Sequence, residues 1–184
     1  MEFMNKTIYQ FSNVRENVEI IIYSLLAFFV PFLIGHPQMV VGIIINLLLL
    51  RVAFYTTMKN ALPVIVLPSI AVYFRGALFG VLTAKLIYMI PFIILGNFLM
   101  VFLAKKYFQK NKSINEFKIS SHSLFGIISK VILIGLGTVV LYLTGVVPLF
   151  FVTTMATLQI VTACSALVIF FANLKLNSLL KKNY

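Results

Sequence analysis

The chain has 184 residues, of which 61% are hydrophobic and only 10% are charged, yet its formal net charge is +11. A mean hydropathy of +1.06 excludes an ordinary soluble domain, because so much apolar surface would aggregate in water. The length fits one membrane domain over residues 1–184, and the single cysteine, Cys164, excludes an intrachain disulfide and a cysteine-rich metal cluster. Positive loops and anionic lipid account for the basic excess, so membrane lipid is an expected partner and nucleic acid is not.

Six apolar runs predict six transmembrane helices, since a bilayer core of about 30 Å needs roughly 20 apolar residues per helix. The polar segment 1–17 comes first and is expected to be cytoplasmic, and the run after it is too long for a signal-peptide core. Pro63 and Pro68 predict a short, kinked third span, and segment 76–84 is either re-entrant or part of a span. The predicted spans lie near residues 18–35, 38–57, 61–75, 86–104, 122–147 and 153–173.

The basic residues fall between alternate apolar runs. With a cytoplasmic N-terminus, twelve lysines and arginines lie on the inner side, Arg75 and Lys85 lie outside, and Lys130 falls within the fifth span. The inner set is concentrated in the loop 105–118 and the basic tail 175–184. Because cytoplasmic loops collect Lys and Arg, we predict a multi-pass protein of the cell membrane with both termini cytoplasmic.

Polar residues near the predicted outer side suggest a binding site. If residues 75–85 were helical, Arg75 and Lys85 would sit about 80° apart around the axis, so both could face one cavity. Two interpretations fit them, namely capture of an anionic solute and snorkelling anchors at the headgroup level. Amides at such positions either bind a ligand or join helices. The candidate substrate-binding residues are Arg75, Lys85, Gln38, His36, Asn97 and Gln159.

No pattern in the sequence supports catalysis, a metal ion or a cofactor. None of the four acids lies mid-span, and the two histidines have no second ligand at helical spacing; we therefore expect a protein that is not an enzyme. Gly76, Gly80 and Ala84 form a small-residue series that predicts a contact face, within the chain or with a partner. Lys130 either snorkels inward, or it lines a cavity or meets a partner subunit. For Asn46 we favour a bond to a neighbouring helix.

Several motifs together resemble a family of small six-span bacterial membrane proteins. They are Leu67–Ala71 followed by Arg75-Gly76, Met89–Asn97, and Pro37–Gly42 ahead of Asn46. Members of that family are often described as S components of energy-coupling factor (ECF) transporters. Some carry an iron hydrogenase label, which a chain with one cysteine does not fit. The similarity covers mainly residues 36–104, with a fainter match at 158–161.

The resemblance implies an S-component-like bundle of six helices that captures a solute near the outer face. Such a subunit docks on a transmembrane coupling subunit served by cytoplasmic ATPases. The chain has no Walker A motif, so ATP use would come from those partners. The first helix, at Ser24–Val30, lacks the Ala-x-x-x-Ala docking motif common in S components. The alternatives are a non-transporting accessory subunit of a membrane complex and a self-contained small transporter.

Overall fold

The computed structural model describes residues 2–34, 37–79, 85–110 and 121–182. Within these residues the chain is helical and contains no strand, which confirms the all-helical prediction for them. A π-helical turn, Val30–Ile34, continues the first helix, and a 3-10 turn, Lys85–Met89, precedes the fourth. The six α-helices are α1 Glu2–Phe29, α2 Gln38–Tyr55, α3 Met58–Phe79, α4 Ile90–Lys110, α5 Ser121–Leu143 and α6 Leu149–Lys182.

Five helical segments in the described part of the chain are long and apolar enough to cross a membrane, which supports a transmembrane protein. The sixth long helix, α3, has 22 residues and contains Lys59, Asn60 and two prolines; it is not among the five. The five segments are Val14–Ile34, Gln38–Tyr55, Lys85–Lys106, Leu124–Leu143 and Leu149–Asn177.

The third helix differs from its predicted bounds. It was expected over 61–75, but α3 runs from Met58 to Phe79 with Pro63 and Pro68 inside it. Membrane helices tolerate proline because neighbouring groups satisfy the affected backbone. Pro68 removes the helical donor of the Val64 carbonyl, and the Asn97 side chain of α4 donates to the next carbonyl, that of Ile65, 3.3 Å away.

Other predicted segments also join helices. The polar segment 1–17 is helical from Glu2 onward, as part of α1. The tail that was expected from residue 175 continues α6 as far as Lys182. Residues 105–110 of the predicted basic loop are the end of α4, and the rest of that loop lies outside the described residues.

Helix α2 lies at the centre of the bundle. It packs against α6, α4, α3 and α1, while α5 packs against α4 and α6. The main core forms around it from fully buried residues such as Leu49, Val52, Val64 and Ala163. Large apolar side chains elsewhere on the helices are exposed, as expected for faces in contact with lipid.

Close helix contacts occur at glycines other than the predicted series. A β-carbon at Gly42 would lie 2.7 Å from the Thr162 methyl group, so α2 and α6 approach closely only because that carbon is absent. Of the predicted series, Gly76 is buried in α3, whereas Gly80 and Ala84 lie outside the described residues. The predicted contact face at 76–84 therefore stays a prediction.

Candidate functional site: a buried lysine cluster

Lys130 is sealed inside the helix bundle. Its residue surface is only 2% exposed, and its ammonium group donates to the Asn46 side-chain oxygen, 2.6 Å away on α2. The aliphatic part of the Lys130 side chain packs against Gly96 of α4. A β-carbon added at Gly96 would lie only 3.2 Å from Lys130 Cγ. The interpretation that Lys130 snorkels to the inner surface is therefore wrong, because the side chain ends in the core.

Asn46 orients its amide through two further bonds. Its Nδ2 donates to the Gly42 carbonyl at 2.9 Å and to Thr162 Oγ1 at 3.1 Å. The Thr162 hydroxyl in turn donates to the Leu158 carbonyl at 2.6 Å. Since both amide hydrogens are used, the Asn46 oxygen is left to face the ammonium group. The bonds join α2, α5 and α6, which confirms the helix-joining interpretation of Asn46.

The charge of Lys130 has no carboxylate beside it among the described residues. Of the acids whose side chains are described, Glu19 pairs with Arg15, and Glu16 accepts from the backbone of Thr57 and the side chain of Asn60. A charge at mid-bilayer costs at least ~2.5 kcal/mol on insertion scales. An ammonium group has three N–H donors, and Asn46 accepts one of them. The other two have no acceptor in the described part of the chain.

Gln159 adds an unbonded oxygen near this cluster. It precedes Thr162 by three residues on α6, so the two side chains share a helix face. Its Oε1 is buried and has no hydrogen-bond partner among the described residues. A buried acceptor without a donor is rare in folded proteins. We define the Lys130 cluster as Lys130, Asn46, Thr162 and Gln159; among the described residues it contains ammonium donors and one buried amide oxygen without a partner.

Asn97, another predicted site residue, faces a different neighbour. It is 2% exposed, and its Nδ2 donates to the Ile65 carbonyl of α3. Its Oδ1 is buried without a partner among the described residues. Asn97 thus joins α4 to α3, next to the point where Gly96 receives the Lys130 stem.

The predicted outer cations, Arg75 and Lys85, lie on different helical segments. Arg75 is half-buried and donates from Nη1 to the Phe32 carbonyl at 3.0 Å and the Pro31 carbonyl at 3.5 Å. Carbonyls at a helix end lack intrahelical partners, so this contact caps the end of the first span. Lys85 and Gln38 are exposed, each at the first residue of its helical segment, and His36 lies outside the described residues. Convergence of these residues on one cavity stays a prediction.

A second polar feature lies where α2 ends, α3 begins and α4 ends. We call it the rim groove. It has a volume of about 570 Å³, and Lys105 closes one side by donating to the Thr56 carbonyl. Its lining residues are Glu16, Tyr55, Thr56, Thr57, Met58, Phe102, Lys105 and Lys106.

The fold and the cluster together define the class of the protein. It is a helical membrane protein with several spans and a lysine enclosed among them. Comparison with protein-family models, with characterised proteins and with solved structures finds no match. The similarity to S components therefore stays a prediction, and the function is inferred from the Lys130 cluster.

Proposed function

We propose that the chain is the solute-capturing membrane subunit of an ECF-type importer, and that Lys130 binds the anionic group of a small solute. The observation that carries this proposal is the buried ammonium group, which Asn46 fixes in place while two of its N–H donors have no acceptor among the described residues. Carboxylate and phosphate oxygens form the strongest hydrogen bonds with such a group. An anionic solute would supply the charge that the described helices do not.

The proposal includes six spans with both termini cytoplasmic. Helix α3 has 22 residues, and at 1.5 Å per residue it extends about 33 Å, enough to cross a bilayer core of about 30 Å. The distribution of twelve inner and two outer basic residues supports the orientation. A cysteine at position 112, in a Cys164→Ala background, should react with an impermeant maleimide only after the cells are opened. Labelling of intact cells would contradict the orientation.

In this orientation a solute would enter from the outer side. Asn46 lies near the middle of α2, so the Lys130 cluster sits deeper than the outer face. Gln159 is one turn closer to the outer end of α6 than Thr162, and its free oxygen would accept a donor from the solute. Arg75, Lys85, Gln38 and His36 would lie along the route from the outer surface. Midplane sites reached through the bundle are common among membrane transporters.

Energy for uphill transport would come from other subunits. The sequence has no nucleotide-binding motif and no carboxylate in the middle of a predicted span. The purified chain alone in liposomes should therefore bind its solute without accumulating it. Accumulation driven by an ion gradient, with no other protein present, would instead show a self-contained transporter.

Solute binding is the direct test. We would screen the purified chain by native mass spectrometry and thermal shift against small carboxylates and phosphate esters, with neutral and cationic analogues alongside. Lys130→Met should weaken anion binding about 10–100-fold, the loss of a charged hydrogen bond. Lys59→Met is the matched control, because Lys59 is exposed at the start of α3. Equal binding by both variants, or a preference for cationic analogues, would overturn the proposal.

A second candidate is a non-transporting accessory subunit. The observation that favours it is that the bonds of the Lys130 cluster join three helices, so the cluster could serve stability alone. In that case the wild-type chain binds no small anion. Lys130→Met would then change the free energy of unfolding and no binding property.

A further inference from the structure

The rim groove combines a charged wall with an apolar one. Lys105 and Lys106 lie at the end of α4, and Phe102 precedes them by about one helical turn. Phe102 and Tyr55 expose 48% and 46% of their surface, so both rings are open to the surroundings. A turn of helix is about 5.4 Å long. In the orientation proposed above, the lysines lie about one helical turn nearer the membrane surface than the exposed ring of Phe102.

The floor of the rim groove is held in a fixed shape. Lys105 donates to the Thr56 carbonyl and thereby ties α4 to the turn between α2 and α3. Glu16 of α1 accepts from the Thr57 backbone at 3.3 Å and from Asn60 Nδ2 at 2.9 Å. The carboxylate of Glu16 is thus engaged with the first turn of α3. Lys106 is exposed at the groove and is the charge best placed to meet a ligand.

We propose that the rim groove binds one anionic phospholipid from the adjacent leaflet. Its phosphate would lie against Lys106 and Lys105, and an acyl chain would run along Phe102 and Tyr55. The order of charge at the surface and aromatic rings below it matches a phospholipid, which has a headgroup above its chains. Basic pockets between membrane helices are known binding sites for anionic headgroups. A volume of about 570 Å³ lies within the usual range for a ligand pocket.

We choose a lipid rather than a protein segment because two exposed aromatic rings, Tyr55 and Phe102, line the groove beside its lysines, and the proposed topology places these lysines at the cytoplasmic surface of the membrane. Phospholipid is always present there at high local concentration, and two lysines against one engaged carboxylate leave the groove positive. This site is independent of the proposed solute capture, because the rim groove shares no residue with the Lys130 cluster.

The test compares retention of two lipids by the full chain. Purified protein would be incubated with equal amounts of phosphatidylglycerol and phosphatidylcholine in detergent and then examined by native mass spectrometry. We expect one retained phosphatidylglycerol per chain. Lys106→Gln should reduce its retention about fivefold, the effect of removing one basic residue near an anionic headgroup. Phe102→Ala should weaken retention of the same lipid, because the chain loses its apolar wall.

Lys59→Gln is the matched control, since Lys59 is also exposed near the rim but does not line the groove. Its retention of phosphatidylglycerol should equal that of the wild type. Equal losses in both glutamine variants would show general attraction to a basic surface and overturn the proposal. Equal retention of the two lipids, displacement of the lipid by free phosphate, or occupation of the groove by an acidic protein segment in place of lipid would overturn it as well.

Discussion

Lys105 and Lys130 are the same side chain in two different settings. Each donates to a neutral oxygen, the Thr56 carbonyl for Lys105 and the Asn46 amide for Lys130. Lys105 is half-buried at the rim, whereas Lys130 is 2% exposed in the core. At the rim a lysine can anchor the protein to the headgroups. In the core, the ammonium group of Lys130 has the Asn46 oxygen as its one acceptor among the described residues.

This difference predicts how the stability of the protein responds to substitutions in the Lys130 cluster and at the rim. A buried polar pair can often be replaced by apolar residues of similar volume with no loss of stability, or with a gain. Leaving one member of such a pair alone is destabilising, because an uncompensated group remains. In the Lys130 cluster, a single substitution should therefore lower the free energy of unfolding much more than a paired substitution does. At the rim groove, both kinds of substitution should change it little.

The largest effect should come from Asn46→Leu. It removes the acceptor of the Lys130 ammonium and leaves that charge without its bond in the core. We expect a loss of about 3 kcal/mol in the free energy of unfolding, measured in mixtures of SDS and a mild detergent. Asn173→Leu, at an exposed position on α6, is the control and should change stability by less than about 0.5 kcal/mol. Similar losses in the two variants would contradict the description of the cluster.

The second-largest loss of stability should come from Gly42→Ala. The new methyl group would lie 2.7 Å from the Thr162 methyl group, so α2 and α6 must separate and the bond from Asn46 to Thr162 must lengthen. We expect a loss of about 1–2 kcal/mol, after the better helix propensity of alanine is counted. The control is Gly135→Ala on α5, where no atom lies within 4 Å of the added carbon. That variant should be neutral or slightly stabilised, and a loss as large as that of Gly42→Ala would show that close packing at Gly42 is not the cause.

The smallest loss of stability should come from a substitution at the rim groove. Glu16→Ala removes the acceptor of the Thr57 backbone and the Asn60 side chain, for which we expect a loss of about 0.5–1.5 kcal/mol. Glu19→Ala breaks only the exposed pair with Arg15 and should cost less than about 0.5 kcal/mol. If Glu16→Ala destabilised the protein as much as Asn46→Leu, the contrast between rim and core would fail.

The sequence predicted the helices better than it predicted the contacts between them. Continuous apolar runs of about 20 residues identify membrane helices without any knowledge of their neighbours. The bond between Lys130 and Asn46 joins positions 84 residues apart, and no local pattern contains that information. Its only signal in the sequence was a cation and an amide well inside two different spans.

The outer residues illustrate the same limit. Arg75 was grouped with Lys85 and Gln38 because all three were placed on one side of the membrane, yet Arg75 donates to the Phe32 carbonyl. That carbonyl lies in the last turn of the first span, Val30–Ile34, where carbonyls have no intrahelical donor. Which side chain meets it depends on how α1 and α3 pack.

The most direct test of the account is the paired variant Lys130→Met with Asn46→Leu. It leaves no further group of the cluster without a bond, because the Thr162 hydroxyl keeps its bond to the Leu158 carbonyl and the Gln159 oxygen is unchanged. Unfolding and anion binding would be measured on the same preparation. We predict a free energy of unfolding at least equal to that of the wild type, together with loss of the anion binding that the wild type shows. Two results together would contradict the account: a paired variant that is less stable than the wild type by more than about 2 kcal/mol, and a wild type that binds no small anion. They would show that the cluster only stabilises the fold.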